Sequence, residues 1–85
     1  MPTAISEPAT VKLAKVYPNP ATSYLTIEGL EGGHATMSNN LGQVVKDFAI
    51  TDYRTLTDMR ELPTGIYFLE LRDAKGNREV VKVVR

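Results

Sequence analysis

The 85-residue sequence has no cysteine, no tryptophan and a single histidine, His34. The absence of cysteine excludes a disulfide framework and a thiolate zinc site, and it is compatible with any redox compartment. One histidine also excludes a metal centre built from several of them. A nucleophile and histidine pair would need Ser23, Ser38 or a threonine beside His34. The position of His34 after two glycines favours a solvent-facing residue at a strand start instead.

The sequence also lacks an excess of charge, because ten Lys and Arg residues balance ten Asp and Glu residues. We therefore expect neither a nucleic acid nor an anionic membrane as an electrostatic partner. The longest apolar stretches, residues 65–69 and 80–84, are far shorter than the roughly 20 residues that span a bilayer, so no transmembrane segment is expected. Residues 1–12 have no basic start before an apolar block. They predict a linker, with any export signal peptide outside these residues.

The sequence shows no sustained helical pattern. It contains instead short runs rich in β-branched and aromatic residues, and turn signals recur roughly every 8–12 residues. The predicted fold is all-β, an immunoglobulin-like antiparallel β-sandwich of about seven short strands over residues 13–85. The predicted strands are residues 11–17, 24–28, 34–39, 44–50, 53–58, 66–71 and 78–85.

Several local features of these strands can be predicted. The adjacent apolar residues Val44 and Val45 indicate a register slip or a bulge. We expect Leu56 to point into the core and residues 66–71 to form a central strand. Gly76 is expected at a left-handed position of the hairpin loop formed by residues 73–77.

No residue pattern in the sequence indicates a catalytic, cofactor or metal site. The aspartates show no spacing typical of an acid and base pair, and the glycines do not match a phosphate-binding loop. The loop of residues 73–77 lacks the ligand set of a calcium loop. The four tyrosines would form a sugar-binding platform only if they shared an exposed face, and positions at the edge of a core are favoured. They are Tyr17, Tyr24, Tyr53 and Tyr67.

Four motifs in a fixed order closely resemble the type A C-terminal sorting domain of the type IX secretion system. The motifs are Lys15-Val16-Tyr17-Pro18-Asn19-Pro20-Ala21 with Tyr24-Leu25-Thr26-Ile27, Asn40-Leu41-Gly42-Gln43-Val44-Val45, Leu62-Pro63-Thr64-Gly65-Ile66-Tyr67-Phe68, and Lys82-Val83-Val84-Arg85. Each motif alone is weakly specific, whereas the ordered set is specific. The chain departs from the usual family pattern at Met37-Ser38-Asn39 and shows no clear cleavage signature near its N-terminal segment.

The resemblance implies a domain at the C-terminus of larger cargo proteins of Gram-negative bacteria. Such cargo crosses the inner membrane by a signal peptide, passes through the periplasm, and reaches the cell surface or the medium through this translocon. The implied partners are the translocon, an outer-membrane shuttle protein and a sortase-like cysteine protease. The protease commonly removes the domain and joins the cargo to anionic lipopolysaccharide. Neither catalysis nor a cofactor is implied for the domain itself.

The resemblance and the turn-forming residues together give the candidate residues for recognition by this system: Tyr17, Pro18, Asn19, Pro20, Gly42, Pro63, Gly65, Lys82, Val83, Val84 and Arg85. We expect a partner to extend the last strand by strand addition, with Lys82 and Arg85 setting the register by charge. The same exposed edge predicts homodimers at high concentration. The alternative function is a non-catalytic spacer or a carbohydrate or adhesion module of a secreted protein.

Overall fold

A computed structural model describes residues 12–18, 21 and 23–85 of the chain. The described residues form seven strands and no helix: β1 (Lys15–Tyr17), β2 (Tyr24–Glu28), β3 (Gly33–Asn39), β4 (Val44–Ile50), β5 (Arg54–Asp58), β6 (Ile66–Arg72) and β7 (Arg78–Val84). They make a three-stranded sheet of order β1-β2-β5 and a four-stranded sheet of order β4-β3-β6-β7, antiparallel throughout. The predicted immunoglobulin-like sandwich of seven strands is confirmed.

The core lies between the two sheets, because alternate residues of each strand point inward. In β2, Leu25 and Ile27 are fully buried, and in β6 Leu69 and Leu71 are fully buried. Burial of each such side chain contributes roughly 1.5–3 kcal/mol. Other core residues include Ala35, Met37, Ile50, Met59, Tyr67 and Val83.

The central position predicted for residues 66–71 is confirmed, since β6 pairs with β3 on one side and with β7 on the other. The hairpin loop before β7 also has the predicted form, with Gly76 at a φ of 91°. Its turn is closed by Asp73, whose carboxylate accepts hydrogen bonds from the backbone N–H groups of Lys75 and Asn77.

The irregularity predicted near Val44 and Val45 lies in the β3–β4 ladder. Met37 pairs with Lys46, and the next residue, Ser38, pairs with Val44, so that Val45 is an extra residue on β4. A bulge of this kind lets two adjacent apolar residues occur in one strand without moving the rest of the strand to the wrong face.

The prediction that Leu56 points into the core is wrong. Leu56 is 64% exposed, whereas its neighbour Thr57 is only 6% exposed. The register decides this, because Thr57 lies opposite the core residue Leu25 whereas Leu56 lies opposite Thr26 on the outer face. Met59, just beyond β5, contributes a large apolar side chain to the core, whereas β5 itself contributes none.

The first predicted strand is shorter than expected, since β1 begins at Lys15. Residues 1–11 of the predicted linker, with Val11 of the predicted strand, lie outside the described residues, as do Asn19 and Pro20 of the predicted corner. Among the described residues, no helix is long and apolar enough to cross a membrane.

Candidate functional site

All four sequence motifs meet at one end of the sandwich, which we call the motif end. β1 finishes there at Tyr17, opposite Thr26 of β2. On the other sheet, β3 finishes at Asn39, opposite Tyr67 near the start of β6. β7 finishes beside them, because Val84 lies opposite Ile66. Antiparallel pairing therefore gathers segments that are distant in sequence.

The first motif carries the chain from one sheet to the other. Tyr17 still pairs within the three-stranded sheet, but the backbone N–H of Ala21 donates to the carbonyl of Val84 in the four-stranded sheet at 2.7 Å. Ala21 is 2% exposed, and the Tyr17–Pro18 peptide bond is cis. The motif thus closes the sandwich along β7, which explains why a small residue follows the prolines.

The last motif is held by contacts from both sheets. The backbone N–H and carbonyl of Arg85 pair with those of Gly65 at 2.9 and 3.0 Å, extending the β6–β7 ladder. The Arg85 Nε donates to the carbonyl of Met59 at 2.6 Å. The Met59 N–H donates in turn to the carbonyl of Ser23. Arg85 was predicted to set the register of a partner strand by its charge. In the structure its side chain also links the two sheets.

The third motif forms the turn before β6. The hydroxyl of Tyr67 donates to the carbonyl of Pro63, four residues earlier, while the ring is 4% exposed. A tyrosine hydrogen-bonded back to the chain at the start of such a strand is typical of immunoglobulin-like sandwiches. Pro63 and Gly65 of this turn are exposed, and Gly65 pairs with Arg85.

The second motif forms the tip of the β3–β4 hairpin. The side-chain oxygen of Asn39 accepts from the N–H groups of Leu41 and Gln43 at 2.9 and 3.0 Å. Gly42 has a φ of 85°, in the left-handed region that favours glycine, and its N–H donates to the Asn39 carbonyl. This fixed turn displays Leu41, which is 78% exposed.

An apolar strip on the outer face of the four-stranded sheet was missed by the sequence analysis. Phe68 lies between Lys82 of β7 and Ser38 of β3, and Ser38 lies beside Val44. The large exposed apolar residues on or next to this face are Leu41, Val44, Ile66, Phe68 and Val80. The signal was present in β6, where Ile66 and Phe68 alternate with the buried Tyr67 and Leu69 and so make both faces of the strand apolar.

The predicted recognition residues divide between the surface and the interior. Tyr17, Pro18, Gly42, Pro63, Gly65 and Lys82 are exposed, Val84 and Arg85 are half-buried, and Val83 is buried. The edge of β7 that strand addition would use is already partly occupied at this end, because the Val84 carbonyl accepts a hydrogen bond from the Ala21 N–H. The structure therefore brings the described candidates together at one end, and it gives Val83, Val84 and Arg85 contacts that stabilise the fold.

Charged groups on the outer face of the three-stranded sheet form two small networks. The Arg60 guanidinium and backbone N–H bind the carboxylate of Asp58 and lower its pKa to about 2. Arg60 also lies over the ring of Tyr24, 5.2 Å from its centroid. In the second network, hydrogen bonds from the Tyr17 hydroxyl and then from Arg54 lower the pKa of Glu28.

The four tyrosines, like the predicted recognition residues, divide between the interior and the surface. Tyr67 is buried, in agreement with the core position favoured above, whereas Tyr17, Tyr24 and Tyr53 are exposed. His34 contacts Asp47 on the outer face of the four-stranded sheet. Within the part of the chain that the structure describes, no three His, Asp or Glu side chains are grouped as they would be to hold a metal ion.

Comparison with known proteins gives two findings. A model of a protein family, the secretion system C-terminal sorting domain, matches residues 15–84. A solved structure from work on PorZ, an essential bacterial surface component of the type IX secretion system of Porphyromonas gingivalis, has a similar fold, with a TM-score of 0.71 and 19% sequence identity. The similarity covers 85% of this chain and 11% of that one.

No curated protein matches the chain. At 19% identity the PorZ structure establishes a shared fold. The family match is stronger evidence, because it spans all seven strands and, apart from Arg85, the four motifs that meet at the motif end. The chain belongs to the family of secretion system C-terminal sorting domains, which are the sorting signals of type IX secretion.

Proposed function

We propose that this domain directs a larger cargo protein through the type IX secretion system by presenting the motif end to the translocation machinery. The observation that carries the proposal is the convergence of the four family motifs at one end of a folded sandwich, joined by the Ala21–Val84 and Gly65–Arg85 hydrogen bonds. A signal of this kind is a three-dimensional surface of a folded domain rather than a linear peptide. Secretion to the cell surface or the medium follows from membership of the family.

The recognised surface combines apolar and basic groups. Phe68 and Lys82 lie opposite each other on β6 and β7, Leu41 projects from the tip of the β3–β4 hairpin, and Pro63 is exposed in the turn before β6. A contiguous apolar patch with a polar rim is typical of a site for protein partners. Tyr17, Pro18, Gly42, Gly65, Val83, Val84 and Arg85 complete or support this end of the domain, whereas the candidates Asn19 and Pro20 lie outside the described residues.

The further steps of the proposal come from the family. The cargo enters the periplasm by its own signal peptide, and an outer-membrane shuttle binds the sorting domain. A sortase-like cysteine protease then removes the domain and joins the cargo to anionic lipopolysaccharide. The domain acts in these steps as a ligand and as a protease substrate, without catalysis or a cofactor of its own.

A reporter fusion tests the sorting function. Residues 13–85 are placed behind a reporter that carries a signal peptide, in a Gram-negative host with this secretion system. We expect the reporter at the cell surface or in the medium. A reporter that stays in the periplasm, although the fused domain is folded, would contradict the proposal.

Two charge reversals test the location of the recognised surface. Lys82→Glu changes the apolar strip at the motif end, and Lys75→Glu changes the exposed loop at the opposite end of the sandwich. We expect export to fall several-fold with the first variant and to be unchanged with the second. Equal melting temperatures show that the loss is one of recognition, and equal export would place recognition elsewhere.

The alternative of a carbohydrate or adhesion module is less well supported. Tyr17 and Tyr24 do share the outer face of the three-stranded sheet, as such a module requires. However, the face of the Tyr24 ring is covered by Arg60, and the Tyr17 hydroxyl is bonded to Glu28. A sugar would have to displace both contacts before it could stack.

A further inference from the structure

We propose that two copies of this chain associate by antiparallel pairing of β5 with β5, which joins their three-stranded sheets into one sheet of six strands. The proposal concerns the edge of the sandwich formed by β4 and β5 and is independent of the sorting function. It differs from the dimer expected through the last strand. The side of the sandwich formed by β1 and β7 is covered by contacts within the chain, whereas the side formed by β4 and β5 is accessible.

The side of the sandwich formed by β1 and β7 is closed at both ends. At one end Ala21 donates to Val84. At the other end the carboxylate of Glu79 in β7 accepts from the backbone N–H of Leu13, just before β1, at 2.7 Å. A second chain would have to displace these bonds in order to pair along β7.

The opposite side is an open cleft between β4 and β5, which are the edge strands of their sheets. Its walls are residues 46–48 of β4 and residues 55–57 of β5. The ion pair between Lys46 and Glu61 crosses this side at 3.4 Å, close to the motif end. No backbone ladder joins β4 and β5 among the described residues.

The ladder between β2 and β5 identifies the backbone groups that face outward. Gly29 donates to Tyr53, and Met59 donates to Ser23, so both of these directly opposed pairs are hydrogen-bonded. Hydrogen-bonded pairs alternate along an antiparallel ladder. Thr55 and Thr57 therefore bond to β2, whereas the N–H and carbonyl groups of residues 54, 56 and 58 point away from it.

The sequence of β5, Arg-Thr-Leu-Thr-Asp, is complementary to itself when two copies run antiparallel. Centred on Leu56, the pairing puts Arg54 of each copy opposite Asp58 of the other, and Leu56 opposite its own counterpart. These are the residues whose backbone groups face outward, so the same register forms the hydrogen-bonded ladder. Pairing also covers Leu56, which is 64% exposed in a single copy.

A buried polar atom supports this register. The hydroxyl of Thr57 is buried and has no hydrogen-bond partner in the described part of the chain. In the paired strands Thr57 lies opposite Thr55 of the other copy, and a threonine pair across strands can form a hydrogen bond. The dimer thus gives a partner to a group that otherwise carries a desolvation cost.

Sedimentation equilibrium of the 85-residue chain tests the proposal, with a concentration-dependent dimer as the expected result. Arg54→Glu and Asp58→Lys each place like charges opposite one another at both ends of the pairing. We expect each to weaken association about tenfold or more. Mixed in equal amounts, the two variants again place opposite charges together, so we expect a heterodimer. A monomer up to about 1 mM, or single variants that dimerise as well as the parent, would overturn the proposal.

Disulfide trapping locates the contact. Because the chain has no cysteine, Leu56→Cys introduces one thiol at the two-fold axis, where hydrogen-bonded strand pairs have Cα atoms about 5.5 Å apart, within the range of a disulfide. Val80→Cys is the matched control at the outer edge of β7, with a residue 54% exposed. We expect mild oxidation to cross-link the first variant several-fold faster. Equal rates, or faster linkage through Val80→Cys, would refute pairing through β5.

Discussion

The side chain of Arg85 joins the two sheets of the sandwich, because its Nε donates a hydrogen bond of 2.6 Å to the backbone carbonyl of Met59. Met59 follows the last strand of the three-stranded sheet, and Arg85 follows the last strand of the four-stranded sheet. The residue that resembles the basic end of a sorting signal is therefore also part of the structure that presents the signal.

Replacement of Arg85 tests this dual role. Arg85→Ala removes the charged donor from the carbonyl of the buried residue Met59, so we expect the free energy of unfolding to fall by about 1–3 kcal/mol. Urea denaturation of the variant and of Lys75→Ala, a change in an exposed loop, gives the measurement and its control. Equal midpoints for Arg85→Ala and the parent would show that the contact does not stabilise the domain.

Removal of the Tyr67 hydroxyl tests the turn before β6. Tyr67→Phe keeps the buried ring but leaves the Pro63 carbonyl without its donor, and we expect a loss of about 1 kcal/mol of stability. Tyr53→Phe, at a tyrosine that is 57% exposed, is the matched control and should change stability little. If both variants unfold at the same denaturant concentration, the hydrogen bond has no net stabilising effect.

The strands and most turns could be predicted from local sequence because their signals are local. Alternation in residues 24–28, the Asn39 to Gly42 turn and the apolar run in β6 each depend on neighbouring residues. The bulge at Val45 could also be predicted, because two adjacent apolar residues cannot both face inward in a regular strand.

The errors and omissions come from interactions between distant residues. Nothing near Leu56 indicates that the bonds at Tyr53 and Met59 set a register that turns it outward. The convergence of the motifs depends likewise on the bond between Ala21 and Val84, which are more than sixty positions apart. Sequence similarity identified the residues of the candidate site, and only the topology could place them at one end.

A steric test concerns Gly33, the first residue of β3. A Cβ at this position would lie 2.1 Å from the carbonyl oxygen of Arg72 on the neighbouring strand. Gly33→Ala must therefore push β3 and β6 apart, and we expect it to cost about 3 kcal/mol or to prevent folding. Gly76→Ala meets no atom within 4 Å and carries only the backbone cost of its φ of 91°, about 1–2 kcal/mol. Equal stability of the two variants would contradict this close approach.

The pH dependence of stability tests the Asp58–Arg60 pair. Arg60 lowers the pKa of Asp58 from 3.8 to about 2, so in this range the folded protein binds fewer protons than the unfolded chain. The stabilisation is therefore fully present above about pH 4, and it is lost as the pH falls towards 2. Asp58→Asn cannot gain this proton, so its unfolding free energy should fall less steeply over that interval.

Urea denaturation between about pH 5 and 2 measures both slopes. Glu28 and Asp73 also have lowered pKa values, so the variant should keep part of the acid sensitivity of the parent. Asp52→Asn, at an exposed residue outside the strands, is the control for the loss of one carboxylate. If Asp58→Asn kept the parent's slope, the lowered pKa of Asp58 would have no effect on folding, because linkage requires the two curves to diverge where that group titrates.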